Sequence, residues 1–242
     1  MKKKHVVITV LFTILLACLI LFACTGIGVV MGNRQMTAIV IPLPEVFKGA
    51  RTLAPIDIIV DVSLTDKAIL EGESNILDWA VVTDEDGVLT VNYKPVIILS
   101  SHPVILRIPY FSGGMLETSS SGRITMAGSE PLEGDTFNLR VNGNGSIHVE
   151  IDAKNVNVRS SSIGSITLAG SAEKALVELS SLGGFFGFDF VTQNARVQLS
   201  SLGSAQVNVT GELSGSTSSM GVITYDGNPA RIMVRDGIPR RR

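Results

Sequence analysis

Between Gly113 and Gly227 the chain alternates apolar and polar residues in short runs that return at a nearly constant interval. Six glycines, Gly122, Gly145, Gly164, Gly183, Gly203 and Gly221, stand 23, 19, 19, 20 and 18 residues apart, followed by "RITM", "SIHV", "SITL", "GFFG", "SAQV" and "VITY". Most of these runs place apolar residues at the second and fourth positions, the period of a strand with one buried face. Each repeat after the first holds a second run, "FNLRV", "VNVRS", "ALVELS", "ARVQLS" or "LSGSTS". Two short strands and a corner of small residues, repeating every 18–23 positions, predict an all-β, parallel β-helix-like solenoid. In it each rung buries its apolar side chains against the rungs above and below.

Upstream of the repeats the same alternation continues without the period. "MTAIVIPL", "IDIIVDVSL", "PVIILSS" and "PVILRIPY" read as strands, and "WAVVTDEDGVLTVNY" reads as two strands joined by an acidic turn ending in Asp86-Gly87. No segment after residue 35 keeps helical spacing with caps, so almost no helix is expected there.

The N-terminus differs in kind. "MKKKH" is followed by Val6 to Met31 without one charged residue, a length that serves as a signal peptide or, left uncleaved, spans a bilayer core of about 30 Å. "LFAC", ending at Cys24, resembles a bacterial lipobox. "LLAC", ending at Cys18, fits the pattern more closely but would leave the apolar "LILFA" on the mature chain. Lipidation at Cys24 is therefore favoured over an uncleaved signal anchor, with release as a soluble form as a third route. The organisation expected is a leader or anchor helix over 1–31, a solenoid over 32–232 with its regular repeats at 113–227, and a basic tail over 233–242. Both cysteines, Cys18 and Cys24, lie in the leader, so the body has no disulfide framework and no thiolate chemistry.

Charge narrows the partners. Residues 52–230 carry nine Lys or Arg against twenty Asp or Glu, whereas residues 1–51 carry six bases against Glu45 and residues 231–242 five arginines against Asp236. An acidic body repels phosphate backbones, so nucleic acid is not an expected ligand. The closing "PRRR" reads as a solvated, frayed terminus, with contact to anionic lipid headgroups or a partner as the alternative.

The recurring glycines are read as structural. A corner between two strands bends the backbone and brings successive coils close together, and glycine permits both; a phosphate-binding glycine loop would need a helix after it. The serine pairs Ser160-Ser161, Ser180-Ser181 and Ser200-Ser201 are read as turn caps or hydroxyl ladders. The three histidines, His5, His102 and His148, stand apart from one another, which leaves a serine nucleophile without a base. One rung is irregular. Placing its extra residue at Gly183-Gly184 sends Phe186 and Phe188 inward, puts Phe190 at a corner and leaves Phe185 exposed at a bulge, a candidate binding patch.

The closing phrase "SSMGVITYDGNPARI", the repeated S-S-x-G-S-I-x-L rungs and the earlier "EGESNILDWAVVTDEDGVLTV" together resemble the auto-transporter adhesin head GIN domain family of bacterial envelope proteins, over residues 32 to 232. The resemblance implies a right-handed coil, export and, in many members, a lipoprotein leader. It marks Gly164, Gly203, Gly221, Tyr225, Gly227 and Pro229 as structural positions and supplies no catalytic residue. "NGNG" at Asn142 to Gly145 and the phenylalanine-rich rung depart from the pattern.

Three functions fit these readings. The first is a membrane-tethered, non-catalytic module of the cell envelope that binds an envelope protein or glycan, or serves as structure, without a cofactor and with no oligomeric state implied. The second is a polysaccharide-active enzyme, which needs a column of carboxylates on adjacent rungs; the outward positions Arg123, His148, Thr167 and Gln206 offer none. The third is a contact partner in envelope-stress sensing.

Overall fold

In a computed structural model, residues 28–218 and 220–242 are described. Residues 1–27 of the expected leader, with Cys18 and Cys24, lie outside them. The described chain is a β-solenoid of about seven turns, with seventeen of its nineteen strands joined in one continuous ladder.

The alternation explains the winding. From Ser146 each rung is a single bent strand, Ser146–Ser160, Ser165–Leu179, Gly184–Leu199 and Ser204–Thr217, in place of the two short strands expected. The first and second parts of these strands stack in parallel into two ladders. One ladder runs through Val88–Tyr93, Gly49–Thr52, Gly114–Thr118 and Leu132–Val141, continues through the second parts of the long strands, and closes at Arg231–Arg235. The other runs from Ile105–Ile108 through Asp57–Asp61 and Arg123–Ala127 into the first parts of the long strands, and ends with Val222–Asp226 and Arg240–Arg241. Inward residues such as Leu139, Val158, Val177 and Val197 are register partners and are buried in one apolar core. Each fully buried side chain of this kind contributes about 1.5–3 kcal/mol.

Two expectations about ends are corrected. The basic tail is not a frayed terminus, because Arg231–Arg235 and Arg240–Arg241 are paired as strands on the last coil while their arginine side chains stay in solvent. At the other end Gly28–Val30, part of the stretch assigned to the leader, pairs in parallel with Val96–Ile98. Gly28 lies so close to the Trp79 indole that a β-carbon would collide with the ring.

The cap over the first coils is antiparallel. Met36–Pro42 pairs with Lys67–Glu73, and Ala80–Glu85 pairs with Val88–Tyr93. In the second hairpin Asp86 and Gly87 both take positive φ, +55° and +89°, the geometry an Asp-Gly turn favours. The one helical turn described, Ser74–Leu77, follows Glu73. Glu73 is 1% exposed, and its carboxylate accepts hydrogen bonds from the Arg34 amide at 2.7 Å and the His102 amide at 2.8 Å, with the His102 ring Nδ1 at 2.6 Å. These contacts, the Arg34 amide first, lower its pKa to about 2. The carboxylate therefore ties the entry segment and the Ser101-His102 loop to the cap.

Candidate functional site

The glycines stand at the corners, immediately before the strands that begin at Arg123, Ser146, Ser165, Gly184, Ser204 and Val222. None of the six has a positive φ, so the strained backbone expected at the corners is absent and what they require is space. A β-carbon on Gly122 would collide with the Ile56 carbonyl, one on Gly145 with the Gly122 carbonyl, and one on Gly164 with Val141 and the Gly145 carbonyl. The crowding falls along the axis: at Gly203 the nearest atom, the Gly183 carbonyl oxygen, would be 2.9 Å away. Corner hydroxyls cap the turns, Thr118 Oγ1 donating to the Gly122 carbonyl at 3.0 Å and Ser160 Oγ to that of Gly164 at 3.4 Å. Tyr225 packs against the core, Pro229 is half-buried, and Gly227 bends with φ +85° beside the Val209 carbonyl.

Phe185 is corrected. It is 1% exposed and sits in register between Ile166 and Ala205, whose small side chain leaves room for the ring. Phe190 is also buried, opposite Gly170, and Phe186 faces outward at 38% exposure. The extra residue falls after Phe186, where Thr167 to Gly170 opposes Phe186 to Phe190. A bulge there costs little because Gly187 has no side chain to place and Asp189 is in solvent, whereas an insertion at Gly183 would have moved a phenylalanine ring out of the core. Phe188 is half-buried beneath the Arg242 guanidinium, 4.7 Å from the ring centre.

A broad outward surface lies on the ladder that closes at Arg231–Arg235. Because inward and outward residues alternate, three outward columns run across its last six strands. They are Thr136, Asn155, Lys174, Asn194, Glu212, Arg231; Asn138, Asn157, Leu176, Arg196, Ser214, Met233; and Arg140, Arg159, Glu178, Gln198, Ser216, Arg235. A shallow groove of about 580 Å³ follows the third column and the serines beside it, Ser161, Ser180, Ser200 and Ser218. A second hollow of about 540 Å³ covers the first two columns between Asn155 and Ser214.

The polar groups of this surface hold one another. Asn157 Nδ2 donates to Asn138 Oδ1 at 3.0 Å, and Arg159 Nε meets Glu178 Oε2 at 2.6 Å. Arg140 Nη1 is 3.9 Å from the carboxylate of buried Glu117, whose other oxygen accepts from Asn142 Nδ2 at 2.9 Å and Ser119 Oγ at 3.0 Å. At the rim, the hydrogen bond and charge of Asp135 raise the Lys154 pKa. Such a surface offers amides, hydroxyls and guanidinium groups to a ligand and no nucleophile with a base.

Sequence reasoning missed this surface although its signal was present. The polar letters inside "FNLRV", "VNVRS" and "ARVQLS" become its columns once the runs are stacked in register. On the opposite ladder Arg123 pairs with Ser146, two residues off its expected column, and the column through His148 reads Thr125, His148, Thr167, Phe186, Gln206 and Thr224.

A family model described as putative auto-transporter adhesin, head GIN domain, matches residues 47–229. No curated protein matches the chain. Among solved structures, a putative adhesin from Bacteroides fragilis superposes with a TM-score of 0.76 at 16% identity, covering 85% of this chain and 94% of that one. A putative lipid binding protein from Parabacteroides distasonis gives 0.66 at 17% identity over 88% and 99% of the two chains. A putative adhesin from Parabacteroides merdae gives 0.62 at 20% identity over 89% and 99%. At these identities the likeness establishes the shared fold.

Proposed function

Since the chain belongs to the auto-transporter adhesin head GIN domain family, we propose that it is a non-catalytic binding module tethered to the bacterial cell envelope, with the three-column face as its recognition surface. The observation that carries this reading is that face itself: flat, outward, hydrogen-bonding on every rung and hollowed along its length. The non-catalytic part of the reading follows the family and its solved neighbours, which are described as putative adhesins. No described helix is long and apolar enough to cross a membrane.

The tether rests on the sequence before Gly28 and on what that sequence enters. Val30 and Ile98 pack on the core, while Val29, Met31 and Leu99 on the other side of the same ribbon are exposed. Three residues separate Cys24 from Gly28, a reach of about 10 Å, so a lipid on Cys24 holds this apolar side against the bilayer surface. Palmitate labelling with membrane fractionation checks the tether: the label is expected on the wild type and lost in Cys24→Ala. For the surface, Ser180→Trp with Ser200→Trp fills the groove from two exposed positions and is expected to abolish retention on isolated envelope polymers. Undiminished retention by that variant overturns the assignment of the face.

A further inference from the structure

We propose that the ligand of this face is an acidic polysaccharide, an inference that rests on the binding reading above. The eighteen outward positions carry six cations, Arg140, Arg159, Lys174, Arg196, Arg231 and Arg235, against two carboxylates, Glu178 and Glu212. This excess stands on a body whose residues 52–230 hold twenty acids and nine bases. Four of those nine bases are on this one face. Outward acids on the other ladder include Glu150, Asp152, Asp189 and Asp226, and Asp236 is the acid at the end of the groove.

The cations are placed at a cost. Arg140 and Arg159 are register partners on adjacent rungs, about 4.8 Å apart in the direction of strand pairing, where like charges repel. Glu117 and Glu178 offset that repulsion one on each side. Lys174, Arg196, Arg231 and Arg235 have no carboxylate within ion-pair distance among the described residues. Arg231 faces Glu212 in register, and the other three, Lys174, Arg196 and Arg235, set up a field on the sheet surface that draws an anionic ligand.

The neighbours of the cations narrow the class. Asn138, Asn155, Asn157, Asn194 and Gln198 place amides beside them, each amide offering a donor and an acceptor to hydroxyl pairs. Six strands at about 4.8 Å span about 24 Å, a length that fits a linear polymer lying along the solenoid axis. No aromatic side chain occupies the columns, so the face has no stacking platform for nucleic-acid bases. Hydroxyls together with regularly spaced carboxylates or sulfates are the chemistry of an acidic polysaccharide.

The test uses the full chain in phosphatidylcholine nanodiscs and measures binding to polygalacturonate, heparin, dextran and phosphatidylglycerol vesicles. Polygalacturonate or heparin is expected to bind and dextran not, with affinity weakening as salt screens the face. Lys174→Glu with Arg196→Glu, both at exposed positions, is expected to weaken binding about tenfold or more with an unchanged melting temperature. Equal binding of dextran and polygalacturonate, unaffected by that reversal, overturns the charge inference and leaves the binding reading standing. Retention by the vesicles and by no polysaccharide replaces the ligand class with an anionic lipid surface. Binding to none of the four probes overturns the inference; if the groove-filled variant also keeps full envelope retention, the binding reading falls with it.

Discussion

The coils from Leu132 to Thr217 and the cap from Gly28 to Ile108 stack on the same two ladders but are held in different ways. In the coils each strand finds its partner 18 to 20 residues away over most of its length, and a glycine recurs at each corner. In the cap the strands are short, partly antiparallel and joined out of sequence order, with Gly49–Thr52 lying between Val88–Tyr93 and Gly114–Thr118. There the fastening is a single buried carboxylate, Glu73, that reaches two loops. Repetition lets one corner design serve many rungs, while an end must be closed by contacts used once.

The comparison breaks most visibly at a corner. Gly145→Val is expected to destabilise the solenoid by about 4 kcal/mol or more, because the new side chain meets the Gly122 carbonyl and Thr118, both fixed by the coil below. Gly203→Val is expected to cost about half as much, since its nearest contacts begin at 2.9 Å and include the Leu179 side chain. Thermal melting of the two variants checks the gradient. Equal losses would mean that the corners matter through backbone conformation rather than through the approach of coils.

The same periodicity decided what was legible beforehand. Where a spacing near nineteen repeats, sequence placed the corners and most inward positions, and upstream the Asp-Gly signal placed the acidic hairpin turn. It failed at Phe185, because an insertion inside a glycine- and phenylalanine-rich run has two alignments and only core packing chooses between them. The pairings upstream of the repeats were also out of its reach: Ile58 stacks on Ile124, 66 residues away, a separation no period reveals. The recognition face escaped because it is a property of stacked columns, and its residues lie about nineteen apart in the chain.

The irregular rung offers a sharper measurement of that alignment. Phe185→Ala is expected to cost about 3–5 kcal/mol, the loss of a fully buried ring and the cavity it leaves. Phe186→Ala, on the adjacent outward position, is expected to stay within about 0.5 kcal/mol. Urea unfolding of both gives the answer, and the reverse order would restore the register with Phe185 in solvent.

The smallest expected effect belongs to the cap and is read through pH. Glu73 has its pKa lowered from 4.5 to about 2 by the amides of Arg34 and His102 and the His102 ring, so the folded cap prefers the ionised form more strongly than the unfolded chain does. Its contribution to stability is therefore complete above pH 4.5 and is lost as pH falls from there to about 2. Glu73→Gln keeps the shape and removes the charge. The difference in melting temperature between wild type and this variant is expected to be constant at neutral pH and to close between pH 4.5 and 2, with faster amide exchange at Arg34 and His102 in the variant. Acid loss of the other carboxylates is common to both proteins and cancels in the difference. An offset that persists unchanged to pH 2 would assign Glu73 a packing role alone, and the cap would then be held by its antiparallel strands without the carboxylate.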